Sequence, residues 1–239
     1  MTRPRLVLLT TDTPHHRYFA WQVSQQFPFA AIVVESGAVR PPFETVHPFE
    51  DERDDYERRV LLGGNPCELT DVASVLQVEN IAGDDALGQM QDLKPDIVMV
   101  FGTRRIREPL PSLARVACLN LHGGNPEEYR GLDSHLWSIY HRDFANLVTT
   151  LHHVDAGLDT GSIVAQRSLT LGRAMPLSEL RALTTRACVQ MTVDALATVD
   201  ACGALPAVPQ RRIGRYYSFM PSVLKTDCIT KFSRHVSSL

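Results

Sequence analysis

A chain of 239 residues with 44% hydrophobic and 21% charged residues is long and apolar enough for one large domain, or for one domain with an extension, and is not disordered. Its formal net charge of −3 supplies no clustered basic excess, so nucleic acid is not expected as a partner. No apolar run reaches the length of a membrane span, so no membrane partner is expected either.

The chain opens "MTRPRLVLLTTDTPHHR". The short apolar run after a basic start gives way at once to polar residues, which predicts a first β-strand rather than a signal peptide. The runs Arg5–Thr10, Ala30–Ser36, Asp96–Gly102 and Val116–His122 are apolar throughout, as strands covered on both faces are. Helices are predicted over Arg17–Gln26, Pro48–Leu62 and Asp84–Leu93. Strands alternating with helices imply a three-layer α/β fold, Rossmann-like, with a mostly parallel sheet and helices on both faces. Leu147–Val154 and Ser162–Leu171, joined by the turn-rich "DAGLDTG", read as a hairpin-like addition to that sheet. Pro176 opens a long helix, about Leu177–Asp200, whose Leu180, Leu183, Ala187, Met191 and Ala195 give one apolar face; Gly203 follows its end. The boundary expected is therefore a catalytic domain over 1–203 and a Pro- and Arg-rich extension over 204–239, packed on the domain or forming an interface. Five scattered cysteines without a C-x-x-C predict reduced thiols, buried filler and a cytoplasmic protein.

Several chemistries are excluded by what the loops lack. "TDTPHHRYF" (Thr10–Phe19) follows the first strand without a glycine, so neither a dinucleotide turn nor a P-loop is present. His15, His16 and Arg17 could bind an anion or a sugar there, or simply begin a solvent-facing helix. No H-E-x-x-H and no Cys/His ligand set occurs, so no metal is expected.

The stretch "LNLHGGNPEEYRG" (Leu119–Gly131) carries the sharper signal. Side chains two apart on a strand share a face, so Asn120 and His122 project together at its carboxyl end, before Gly123 and Gly124 let the backbone turn away. An amide donor beside an imidazole suits acyl transfer, where an oxyanion forms and a proton must leave the nucleophile. A hydrogen-bonded polar pair closing the strand would read the same. A loop carboxylate from Asp155 or Asp159 could bond His122, raise its pKa and tune it as an acid or base. Both can equally be turn residues.

Together, "NLHGG…YRG" and "HHVDAGLDTGSIVAQ" resemble the catalytic core of the folate-dependent formyltransferases, over about Arg5 to Asp200. The group includes the glycinamide ribonucleotide, methionyl-tRNA and sugar-nucleotide N-formyltransferases. The resemblance implies Asn120, His122 and Asp159 as the catalytic set, and so chooses between the aspartates. It implies a folate pocket lined by Thr103, Arg104, Arg105, Ile106 and Arg107, with Asp155 and Gly157 on a loop that helps hold the pterin. His135 matches a substrate-side position, and His15, His16, Arg17, Arg130 and Tyr217 complete the expected acceptor site. The family's L-L-P-K-Y is Asn125-Pro126-Glu127-Glu128-Tyr129 here, two acids where a base is usual. The glycinamide enzyme's phosphate loop is replaced by "TDTPHHRYF", and the residues after 203 are too few for the tRNA enzyme's C-terminal barrel.

The expectation is an N-formyltransferase that uses 10-formyltetrahydrofolate as co-substrate and a small amine as acceptor, closest to the sugar type. Alternatives are another amino metabolite as acceptor, or a folate-binding module or formyltetrahydrofolate hydrolase. Arg211, Arg212 and Arg215 with Tyr216, Tyr217 and Phe219 could hold a nucleotide diphosphate and base, or dock the tail, or bury a homodimer interface.

Overall fold

The computed structural model describes residues 3–37, 40–64 and 67–239. Strands β1 (Leu6–Thr10), β2 (Phe29–Glu35), β3 (Val75–Val78), β4 (Ile97–Phe101), β5 (Ala117–His122), β7 (Val148–His153) and β8 (Ile163–Ser168) form one sheet, in the order β3-β2-β1-β4-β5-β7-β8. A small second sheet pairs β6 (Tyr129–Gly131) with β9 (Arg215–Tyr217) in parallel. The pairings from β3 to β5 are parallel, and β7 and β8 add antiparallel.

The helices are α1 (Pro14–Ser24), α2 (Phe49–Val60), α3 (Asp84–Leu93), α4 (Ser134–Tyr140), α5 (Leu180–Cys202) and α6 (Ser222–Ser237). Alternation along the strands assigns the cores. Leu6, Leu8, Met99 and Leu119 meet Phe19 and Val23 of α1 and Met191 and Leu196 of α5. Val7, Leu9, Val98 and Val100 meet Ala86 and Met90 of α3 on the opposite face. A third cluster joins Ile139 of α4, Leu180 of α5 and Cys228, Phe232 and Val236 of α6.

The three-layer fold stands, but several elements differ from the sequence reading. Helix α1 begins at Pro14, not Arg17: Pro14 sits at its first turn behind an extended Thr13, so His15, His16 and Arg17 are helical rather than loop residues. Strand β3 is only four residues and half exposed, and gives no long apolar run to find. Most of the Pro- and Arg-rich tail that follows α5 is structured, into β9 and the sixteen-residue α6. Helix α5 buries more than one stripe, since Ala182, Thr185, Cys188 and Thr192 are inside as well. It lies between the sheet and the third core, so polar threonines are enclosed; Thr184 and Thr185 bond back to the carbonyls of Leu180 and Arg181. All five cysteines are free thiols, and Cys118, Cys188 and Cys228 are buried. Among the described residues no helix is long and apolar enough to cross a membrane.

Candidate functional site

Strand order reverses between β1 and β4, and open α/β sheets leave a crevice at the carboxyl ends of such strands. A cavity of about 800 Å³ lies there, bordered by Thr11 after β1, Phe101 and Gly102 at the end of β4, and Asn120 and His122 at the end of β5. Gly102 is required: it holds φ +81°, and a Cβ there would stand 2.4 Å from the His16 ring. Gly123 and Gly124 do not adopt positive φ. Gly124 instead makes room, since its Cβ would stand 2.7 Å from that of Ser134 and 3.0 Å from His122 Nε2.

Strand register builds the polar centre. Pairing of β5 with β7 sets Asn120 opposite His152 and His122 opposite Thr150. His122 donates its Nε2 proton to the Tyr129 carbonyl at 2.7 Å, which leaves the Nδ1 lone pair of the neutral ring 3.7 Å from Asp159 Oδ2. Asn120 Nδ2 lies 3.1 Å from His152 Nε2 and 3.4 Å from Asp159 Oδ1. A turned amide would set its oxygen against the carboxylate, so the NH₂ orientation is the chemically sensible one. His152 Nδ1 donates to the His153 carbonyl at 2.7 Å, which keeps Nε2 as the acceptor for Asn120.

The loop between β7 and β8 delivers Asp159. Asp155 Oδ1 accepts from the Gly157 amide at 3.0 Å and from Thr160 Oγ1 at 2.7 Å, so its side chain organises its own turn. Asp159 holds φ +53° and accepts from the Gly131 amide at 2.8 Å. Burial works against its charge, but the His122 and His152 rings and the Gly131 N–H outweigh it, and the carboxyl is held down at about 2. For His122 the balance runs the other way. Burial lowers its pKa more than the Asp159 charge raises it, so it is neutral near pH 7. The expected upward tuning by a carboxylate is present but is overridden by desolvation.

The predicted folate-side residues fall unevenly. Thr103, Arg104, Arg105 and Ile106 border the cavity with Asp155 and Gly157, while Arg107 lies outside it. The Arg104 amide donates to Glu35 Oε2 at 2.9 Å, and its buried Nε pairs with Oε1 of the same carboxylate at 3.5 Å, outside hydrogen-bond geometry. Arg105 Nη2 donates to the Ala156 carbonyl and so links this wall to the Asp159 loop.

On the other side, His15, His16 and His135 border the cavity. His15 Nδ1 is 3.5 Å from the fully buried Glu57, which Arg181 grips at 2.6 and 2.7 Å. Burial, then Arg181 and Arg53, push the His15 pKa well down; burial, then His15, do the same for His16. Both are therefore neutral and unsuited to binding an anion by charge. His135 Nε2 donates to the Val148 carbonyl at 2.6 Å, and burial drives its pKa to about 4.

Three expected acceptor residues are not at the cavity. Arg17 is held outside by Asp12 and Glu68, at 2.5 and 2.6 Å. Arg130 braces backbone, donating to Gly214 O at 2.6 Å and Leu158 O at 2.9 Å. Tyr217 stacks between Tyr129 and Trp137, with ring centroids 5.4 and 5.2 Å away; alternation along β9 turns Tyr216 to the cavity instead. The tail arginines are also occupied: Arg211 pairs with Glu127 at 3.0 Å, Arg212 with Glu128, and Arg215 lies over the Tyr217 ring, 5.5 Å from its centroid. Sequence reasoning missed His152, the Tyr129 carbonyl and the Glu57–Arg181 pair. Only His152 carried a usable signal, its place on a strand beside the Asp loop. Among the described residues no cluster of His, Cys, Asp and Glu could hold a metal.

The profile of the formyl transferase family matches residues 50–196. A methionyl-tRNA formyltransferase of Ralstonia nicotianae is 32% identical over 163 residues, 67% of this chain and 48% of that protein. The chain spans about half or less of the length of the methionyl-tRNA formyltransferases it matches. Among solved structures, a 4-N formyltransferase from Francisella tularensis superposes with TM-score 0.61 at 12% identity, over 91% of this chain and 77% of that one. The formyltransferase PseJ from Anoxybacillus kamchatkensis, in complex with UDP-4,6-dideoxy-4-formamido-L-AltNAc and tetrahydrofolate, superposes with TM-score 0.52 at 18% identity, over 90% and 85%. At these identities the likeness is one of fold.

Proposed function

The chain belongs to the formyl transferase family, and from that premise we propose that it is a cytoplasmic N-formyltransferase moving a formyl group from 10-formyltetrahydrofolate to the primary amine of a small acceptor, a nucleotide-linked amino sugar. The observation that carries the reading is the convergence of Asn120, a neutral His122 and an ionised Asp159 at one end of the cavity.

The folate derivative supplies the activated formyl group. The wall of Thr103, Arg104, Arg105 and Ile106 fits it, since these residues border a roomy, partly apolar cavity and Arg104 is anchored there by Glu35, its Nε 3.5 Å from Oε1. The remaining steps fall to this chain's own side chains. Asn120 Nδ2 keeps one proton on His152 Nε2 and offers the other, which makes only the long 3.4 Å contact to Asp159 Oδ1, to the formyl oxygen as that oxygen gains negative charge; a donor of this kind is worth about 3–4 kcal/mol in such sites. His122 Nδ1 takes the proton lost by the attacking amine and returns it to the leaving nitrogen. The Tyr129 carbonyl orients the neutral ring, and Asp159 stabilises the imidazolium during that transfer. Both protons and charge balance without a metal.

A sugar-type acceptor is favoured by the fold neighbours, whose names include sugar N-formyltransferases, and by Tyr216 and Phe219 bordering the cavity as stacking surfaces. The sequence relatives act on methionyl-tRNA, the competing acceptor. The deciding experiment incubates the protein with 10-formyltetrahydrofolate and, in turn, pooled amino-sugar nucleotides, glycinamide ribonucleotide and aminoacyl-tRNA, and follows tetrahydrofolate release. Turnover only with an aminoacyl-tRNA defeats the sugar assignment; turnover with no acceptor indicates a hydrolase.

A further inference from the structure

After α5 the chain does not leave the site. Val208 exchanges two backbone hydrogen bonds with Ile163 of β8, each 2.8 Å. Two residues on, the Gln210 amide lies under the loop that carries Asp159. Its Nε2 donates to the carbonyls of Asp159 and Gly161, both at 2.9 Å. A turned amide would press its oxygen on two carbonyl oxygens, so this orientation is fixed. It is kept although Gln210 Oε1 is left buried without a hydrogen-bond partner, which is costly.

Other contacts tie the same tail to the segment 126–130, from which Arg130 reaches the loop. Arg130 bridges Leu158 O and Gly214 O. The Arg211 amide donates to Glu127 Oε1 at 2.6 Å, and the Arg215 amide to Glu128 O at 3.0 Å. Gly214 fits only as glycine, because a Cβ would stand 2.5 Å from Glu128 N and Pro126 O. The two acids that depart from the family pattern thus have partners in the tail.

We propose that the segment 210–217 is a strap that sets the Asp159 carboxylate, and that Gln210 is a positioning residue for formyl transfer; this rests on the reading of Asp159 as the partner of His122. Asp159 sits in a left-handed conformation that persists only where the surroundings hold it. Asp155 and Ala156 on its approach are exposed; Asp155 closes its turn through Gly157 and Thr160, and Arg105 holds the Ala156 carbonyl, but none of these bonds reaches the Asp159 peptide itself. Arg130 fixes the peptide before it, and Gln210 fixes its own carbonyl and that of Gly161. The carboxylate is then left at bonding distance from the Gly131 amide and facing His122.

The test is Gln210→Met in the full chain, close in length but without the donor. Hydrogen exchange at the Gly131 amide and across 155–161 should rise about tenfold or more while β1 and β4 keep their protection, and kcat should fall with folate affinity retained. Unchanged exchange at Gly131 and the loop overturns the proposal. A rise shared equally by β1 and β4 overturns it too, since that is general loss of stability. Should Gln210→Met not fold, Arg130→Met, which frees Leu158 O alone on the loop side, decides by the same measurement. Asp159→Asn, assayed in parallel, separates the two ideas. If its kcat stays within tenfold of wild type, the reading of the site fails; if kcat falls further than that while Gln210→Met matches the wild type, only the strap fails.

Discussion

His122 gives its Nε2 proton to the Tyr129 carbonyl at 2.7 Å, and this one bond decides which ring nitrogen can do chemistry. Nδ1 is left with a lone pair toward the cavity and Asp159. His122→Ala should therefore lower kcat by about 10²- to 10⁴-fold with folate affinity little changed. Steady-state kinetics beside equilibrium folate binding read this directly. Activity within tenfold of wild type removes the proton-transfer role.

Asn120 has a different expected signature. It stabilises charge and moves no proton, so Asn120→Ala should reduce kcat by about 10²- to 10³-fold without moving the pH limbs of the rate profile. A shifted limb would mean that the amide acts through His122 instead.

Asp159→Asn should move the acidic limb of kcat to lower pH. The Asp159 charge raises the His122 pKa against the larger lowering by burial, so removing it leaves burial less opposed. A pH–rate profile that stays in place would show that the 3.7 Å separation carries no useful coupling.

Stability should fall as the solution is acidified below about 6.5. His15, His16, His122 and His135 all have pKa values lowered by burial, so below the ordinary value of 6.5 the unfolded chain binds protons that the folded chain refuses. For His135 the displacement from 6.5 to about 4 corresponds to about 3 kcal/mol, lost progressively across that window. Asp159, held at about 2, adds a loss that begins only below its ordinary 3.8. Thermal melts between pH 7.5 and 4 test the sign. His135→Gln should flatten the pH dependence, and an unchanged slope would contradict the buried neutral ring.

Gly102→Ala should destabilise the fold by about 1–3 kcal/mol, because it adds a left-handed alanine and a Cβ 2.4 Å from the His16 ring. Arg17→Gln, by contrast, breaks only surface ion pairs outside the cavity and should change the melting free energy by about 1 kcal/mol or less. Denaturant melts of the two variants give the comparison.

Strands β1, β2, β4 and β5 of the parallel sheet were legible because each is largely buried on both faces and so reads as an unbroken apolar run; the half-exposed β3 was not. Asn120 and His122 were legible because a strand's two-residue period needs no tertiary knowledge to set them side by side. The motif spacing then pointed to Asp159 through the family resemblance, where turn chemistry alone left Asp155 and Asp159 equal. What escaped the sequence is whatever depends on residues far apart in the chain. Alternation along β9, invisible in a three-residue strand, turned Tyr216 rather than Tyr217 to the cavity. Glu127 and Glu128 found their partners in Arg211 and Arg212, more than eighty residues away. The protonation state of His122 was decided last. A sequence can supply the carboxylate that raises a histidine pKa, but only the folded core fixes how much water is removed from the ring, and here desolvation is the larger effect.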